Sequence, residues 1–283
     1  MAIDLEHLRQ WVNRSERLTE IVAAMPVTAM AATLDRDDAP AEQGTALPPL
    51  WHWMLFNPAA RQSVLGPDGH PARGEFLPPV ELPRRMWAGG RLDFVRPLRV
   101  GEAATKTSRI AEISAKSGRS GELVFVTVQH EIAVGKEVAI TEEHDIVYRE
   151  AAKPGAVPPP PQAAPSDAAF ERTIVPDPVL LFRYSALTFN GHRIHYDRSY
   201  VTGVEGYPGL IVHGPLIATL LLDLLRRNLP AATVRSFSFR AVRPLFDIAP
   251  FAVCGRPEAD GRITLWAREA TGALAMEGSA QLD

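Results

Sequence analysis

Two histidines three residues apart, His192 and His195, follow the amide Asn190. Ahead of them lie a Gly-rich turn, Gly206-Tyr207-Pro208-Gly209, and a third histidine, His213, at the start of an apolar run. Imidazole has the side-chain proton affinity nearest neutrality, so a positioned His195 can take a proton from water and return it later. Asn190 has no proton to exchange in this way, but its amide can orient a water or a carbonyl. Gly214 opens the apolar run, where backbone N–H groups at a helix start lack partners and the dipole is positive. Aimed at a thioester carbonyl, such donors would stabilise the enolate that forms when a proton leaves the α-carbon. A base beside an enolate hole is what elimination or addition of water requires.

The neighbouring polar groups take supporting parts. His192 reads as structural or supporting, and His213 as a brace at the helix start. Tyr184 is a core residue or a wall of an acyl tunnel. Arg183 and Arg193 are solvated charges by default. They are also the candidates to meet a CoA phosphate or a substrate carboxylate, because a guanidinium offers a bidentate fork.

These groups need a frame. Residues 216–225 are apolar on nearly every face, the pattern of a helix enclosed by a sheet. Pro215 suits its first turn, and Arg226 and Arg227 its last. Residues 91–95, 104–113, 123–130 and 140–148 read as strands separated by turn residues, which predicts an antiparallel sheet. Residues 4–24 predict one helix, with Leu5, Leu8, Trp11, Val12, Leu18 and Ile21 mainly on one face. The apolar cluster 49–56 predicts a short helix or buried strand, and 184–188 looks strand-like. The Pro- and Gly-rich stretch 67–83 predicts a long surface loop of the kind that covers a ligand or partner. A Pro-rich connector, 151–167, divides an N-terminal part, 1–150, from a C-terminal part, 168–283. Val95-Arg96-Pro97-Leu98 recurs as Val242-Arg243-Pro244-Leu245, so the second part repeats the plan of the first.

Composition narrows the class. The 283 residues carry 30 basic and 33 acidic side chains, a net charge of -3, which gives no footprint for nucleic acid. One cysteine, Cys254, excludes an intrachain disulfide and fits a reducing compartment. No apolar run is long enough for a membrane span, and the first residues resemble neither a signal nor a transit peptide. The expectation is a cytoplasmic protein without a metal site or a cofactor.

The string Asn190-Gly191-His192-Arg193-Ile194-His195, followed by Gly209-Leu210-Ile211-Val212-His213-Gly214, resembles the hydratase-2 signature of MaoC-like hot-dog proteins. The likeness is strongest to the branch of type 2 hydroxyacyl-thioester dehydratases and of mesaconyl-C4-CoA and itaconyl-CoA hydratases. It implies an α+β, double hot-dog fold: two curved antiparallel sheets, each wrapped on a central helix, with a degenerate first half roofing the pocket of a catalytic second half. His195 matches the signature's catalytic histidine, whereas Asn190 stands where the common signature has Asp and His192 where it has Asn. The resemblance further implies reversible addition of water to an α,β-unsaturated CoA thioester, either itaconyl-CoA or mesaconyl-C4-CoA to citramalyl-CoA. Arg183 or Arg193 would meet the free carboxylate. The alternatives are a general 3-hydroxyacyl-thioester dehydratase using CoA or acyl carrier protein, and a hot-dog thioesterase or acyl-CoA-binding protein. Two hot dogs in one chain are compatible with a monomer or a homo-oligomer.

Overall fold

The computed structural model describes residues 3–71, 73–118, 121–150 and 160–283. Its first half runs α1 (Leu5–Arg9), β1 (Ser15–Ile21), α2 (Ala24–Thr33), then β2 (Arg84–Phe94), β3 (Ala103–Gly118), β4 (Gly121–Val134) and β5 (Glu137–Arg149). The second half runs β6 (Phe170–Ile174), α3 (Pro178–Leu187), α4 (Arg198–Gly203), α5 (Gly214–Asn228), then β7 (Val234–Ala241), β8 (Phe251–Pro257), β9 (Arg262–Glu269) and β10 (Leu274–Leu282). All ten strands form one antiparallel sheet in the order β1-β3-β4-β5-β2-β7-β10-β9-β8-β6. Each strand of the first half thus has its counterpart five strands later, mirrored about the β2–β7 seam.

The duplication extends to individual hydrogen bonds. Val95 and Arg96 N–H both donate to the Ala139 carbonyl, and Val242 and Arg243 N–H both donate to that of Ala275. Leu47 N–H donates to Leu98 at 2.8 Å, and Val212 N–H donates to Leu245 at 2.9 Å. The recurring four-residue string therefore marks the same corner in both halves. Just past Leu47 and Val212 the halves part. The second half enters α5, whose residues 216–225 are all buried against the sheet, as their pattern predicts. The first half makes one 3-10 turn, Trp51–Met54, and then leaves as a long loop. The expected cluster 49–56 is therefore the shortened counterpart of α5.

That loop crosses to the other half. The Asp68 carbonyl accepts the Arg193 N–H at 2.9 Å, and the Pro67 carbonyl accepts from the Arg193 guanidinium at 2.9 Å. Gly69 has φ +87, and a Cβ there would lie 2.0 Å from the Gly191 carbonyl oxygen. Only glycine permits so close an approach of the two backbones.

Two local expectations differ from the structure. Residues 4–24 are not one helix: α1 ends at Arg9, Asn13 reverses the chain at φ 69, and 15–21 pair with β3 as an edge strand. A short helix is marginal alone, and strand pairing satisfies the same backbone groups on an existing sheet. Residues 184–187 are the last turn of α3 and not a strand. Asp177 caps that helix, its side chain accepting from Val179 and Leu180 N–H at 2.7 and 2.9 Å, with Pro178 in the first turn. Most of the connector, 151–159, lies outside the described residues. Its end is laid against the β9–β10 turn by Ala164 N–H to Gly272 and Leu274 N–H to Gln162. Among the described residues no helix is long and apolar enough to cross a membrane.

Candidate active site

His195 sits on a single 3-10 turn, Arg193–His195, between α3 and α4. Ile211, just before α5, holds that turn from both sides: its N–H donates to Ile194 at 3.0 Å and its carbonyl lies 2.7 Å from His195 Nδ1. A carbonyl only accepts, so Nδ1 carries the proton and Nε2 keeps its lone pair, the arrangement a base needs. The His195 ring stacks on His213 at 3.7 Å between centroids and an interplanar angle of 17°. His213 is the N-cap residue of α5, so the His195 ring is fixed at the N-terminal end of that helix. Gly214 is the first helical residue, and a side chain there would meet nothing within 4 Å.

The supporting groups fall largely where expected. His213 Nε2 is 2.8 Å from the Ser185 hydroxyl, and Tyr184, fully buried, meets the His213 ring edge-on at 5.0 Å. These two are braces and core. Asn190 Oδ1 accepts the His192 N–H at 3.0 Å, closing a local turn, so what Asn190 retains is its NH2, a donor only. His192 lies edge-on to His195 at 5.5 Å. Arg193 is not available for a substrate carboxylate: it pairs with Asp197 at 2.7 Å, donates to Pro67 and stacks over Tyr200 at 4.1 Å. Arg183 stands on the exposed face of α3, without an ion pair among the described residues.

Burial sets the protonation states. Desolvation holds His195 down to about 4, with His70 adding to it and the Ile211 carbonyl opposing. Desolvation and then His70 and His195 hold His192 down to about 2, and His213 is likewise well below the ordinary range. All three rings are neutral at pH 7. Because their folded pKa values lie below the unfolded value near 6.5, the unfolded chain takes up protons first as pH falls. Their stabilisation is complete above about pH 6.5 and is lost progressively below it, down to about pH 4 for His195 and to lower pH still for His192 and His213. Two results are expected: Tm declines through that window, and the acid limb of kcat/KM for hydration lies near pH 4, well below 6.5. A limb at 6.5 would show that the titrating base is a solvated imidazole and not His195.

A family model described as hydroxyacyl-thioester dehydratase type 2 matches residues 50–247. The chain belongs to this family. The dehydratase family match is accompanied by a near full-length relative, the mesaconyl-C(4)-CoA hydratase of Chloroflexus aurantiacus, 49% identical over 96% of both chains. Among solved structures, a MaoC-like dehydratase from Phytophthora capsici superimposes with a TM-score of 0.73, at 16% identity and covering 99% of each chain. A Mycobacterium tuberculosis protein of double hot-dog fold gives 0.58, at 14% identity and 96% of each chain. These two likenesses bear on the fold, which is the double hot dog.

The first half of this dehydratase family member contributes residues that no local pattern announced. Asp68 and His70, on the crossing loop, abut the second half's motif: the His70 and His192 rings are 4.1 Å apart. Burial opposes its charge, yet hydrogen bonds from the ring and backbone of His70 hold the Asp68 carboxyl well below the usual range. Further along the sheet, Glu142 is buried and accepts from Trp53 Nε1 at 3.0 Å, with His52 Nε2 at 3.0 Å and His144 Nε2 at 2.8 Å. No metal site was expected from the sequence. Two groups nonetheless bring potential ligand atoms within 4.8 Å of one another: Asp68, His70 and His192, and His130, Glu142 and His144. No lone sequence signal finds either, because their members are brought together by sheet pairing and by loop docking.

Proposed function

We propose that this hydro-lyase adds water reversibly to an α,β-unsaturated CoA thioester, with mesaconyl-C4-CoA and citramalyl-CoA as the favoured pair. The observation that carries the reading is His195 with its Nε2 lone pair, fixed by Ile211 and stacked on His213, the N-cap residue of α5 just before Gly214. Nε2 takes a proton from water, the oxygen bonds to the β-carbon, and the electron pair moves onto the thioester oxygen. Gly214 N–H and the α5 dipole stabilise that oxyanion. The imidazolium then returns its proton to the α-carbon, so the atoms of one water are added and the base is regenerated. In this reading the Asn190 NH2, left free by the turn its oxygen closes, donates to the incoming or departing oxygen. In this reading residues 168–283 carry the chemistry and 1–150 roof the pocket, in a cytoplasmic monomer or homo-oligomer.

The 49% identical hydratase supports the dicarboxylic substrate, and the family match keeps the general 3-hydroxyacyl-thioester dehydratase as a second reading. The thioesterase alternative is weakened by α5 itself. Its first carboxylate, Asp223, is buried and bonded to three arginines, out of reach of any water-activating role. Mass spectrometry of the purified protein with mesaconyl-C4-CoA, itaconyl-CoA and crotonyl-CoA tests the proposal. A mass gain of one water on mesaconyl-C4-CoA is expected. Gain on crotonyl-CoA alone would favour the general dehydratase, and release of free CoA without hydration would overturn the hydratase reading.

A further inference from the structure

The cleft beside His192 holds more positive charge than its own carboxylates can match. It is lined from the first half by Asp68, His70, Arg73, Arg84 and Arg85, and from the second by His192, Glu205 and Tyr207. Two of the three arginines are committed. Arg73 donates to the Val80, Leu82 and Pro83 carbonyls, a structural clasp of the crossing loop. Arg84 donates to the Tyr207 hydroxyl at 2.8 Å and to the Glu205 carbonyl, with the Glu205 carboxylate 3.8 Å away. Asp68 is occupied by His70. Arg85 lies beside the Tyr148 hydroxyl and has neither a carboxylate nor a carbonyl partner among the described residues. With His70 and His192 neutral, three guanidinia face two carboxylates, and Arg85 is the one left without a carbonyl or carboxylate acceptor among the described residues.

We infer that Arg85 is the subsite for a free carboxylate on the β-carbon of the thioester substrate, and that it selects dicarboxylic over simple acyl thioesters. The inference rests on the hydratase reading and adds the residue that reads the second acid. Its geometric basis is a shared cleft: Arg85 lines the same cleft as His192, the ring next to His195. The cleft includes His192, whose ring is 5.5 Å from that of His195. In a dicarboxylic substrate such as mesaconyl-C4-CoA the carboxylate is bonded to the very carbon that receives water, so its cation has to sit next to the base. The phosphates of CoA are a whole pantetheine arm away from that carbon. A buried or half-buried carboxylate left without a partner would be costly, and a guanidinium supplies two parallel donors to it. Arg85 comes from β2, the seam strand, so the half without the base reads the substrate while the other half transforms it.

The test compares Arg85→Gln and Arg85→Lys with the unaltered enzyme on mesaconyl-C4-CoA and crotonyl-CoA. Arg85→Gln should lower kcat/KM for the dicarboxylic thioester roughly 10- to 100-fold more than for crotonyl-CoA, the range for losing a charge-assisted hydrogen bond. Arg85→Lys should restore part of the difference. A parallel fall on both thioesters would overturn the proposal, because Arg85 would then serve CoA or the fold. Equal activity of variant and unaltered enzyme on mesaconyl-C4-CoA would also overturn it. If the unaltered enzyme hydrates neither thioester, the hydratase reading itself fails, whatever the variants do.

Discussion

Replacing His195 by alanine is expected to lower kcat for hydration by about 10²- to 10⁴-fold, the span of a positioned general acid–base group, with KM little changed. The argument is geometric. Nδ1 is consumed by the Ile211 carbonyl, so Nε2 is the one lone pair this ring can offer. The stacked ring cannot take over: His213 Nε2 is bonded to Ser185, and its Nδ1 is buried without a partner. Ring stacking on His213 is lost in the variant, so Tm should be measured beside the rate to separate folding from chemistry. His213→Ala, which removes a brace and not the base, should cost less in kcat than His195→Ala. Turnover of His195→Ala within tenfold of the unaltered enzyme would remove His195 from its role.

The largest stability effect is expected at Asp223. Its carboxylate is 4% exposed on α5 and holds three guanidinia: Arg36 at 2.8 Å, Arg172 at 3.0 Å and Arg227 at 2.7 Å. Arg172 and Arg227 also donate to the Leu34 carbonyl, so one carboxylate ties α5 and β6 to the chain leaving α2. In Asp223→Ala Arg172 and Arg227 lose their carboxylate and Arg36 keeps only Asp38, and breaking a buried pair costs roughly 3–5 kcal/mol. The arginines retain some contact with water, so a loss near the lower end, about 3 kcal/mol, is expected in urea denaturation. A loss below about 1 kcal/mol would show that solvent already screens the cluster.

The sequence exposed α5 and the catalytic turn because their signals are local. Gly214-Pro215 followed by ten residues of which eight are apolar leaves little alternative to a buried helix, and His195 closes a recognisable six-residue string. The strands β2 to β5 were equally local, alternating between turns. Helix α3 was missed although its start was written in Asp177-Pro178, because the residues at its end, Tyr184 to Thr188, alternate as a strand would. Edge strand β1 was missed because Leu18 and Ile21 continue a helical stripe, and only pairing with β3 decides otherwise. Asp68, His70 and Arg85 lie more than a hundred residues from His192. Their part in the cleft depends on Gly69 meeting Gly191 across the halves, a contact that no periodicity encodes. Arg193 misled for the opposite reason: its place in the motif suggested a ligand, whereas Asp197 four residues on claims it.

The shortened turn at Trp51–Met54 sets a stoichiometry. Two equal hot dogs would offer two helix mouths and two bases, one on each side of the β2–β7 seam. Here the described residues form a full-length central helix only at Gly214–Asn228, and the stretch after Met54 is spent instead on the crossing loop. On the proposed function, this arrangement gives one thioester site per chain. The two halves are also coupled at the site: the crossing loop that takes the place of a second central helix is bonded to Arg193, so a change in it reaches the His195 turn directly.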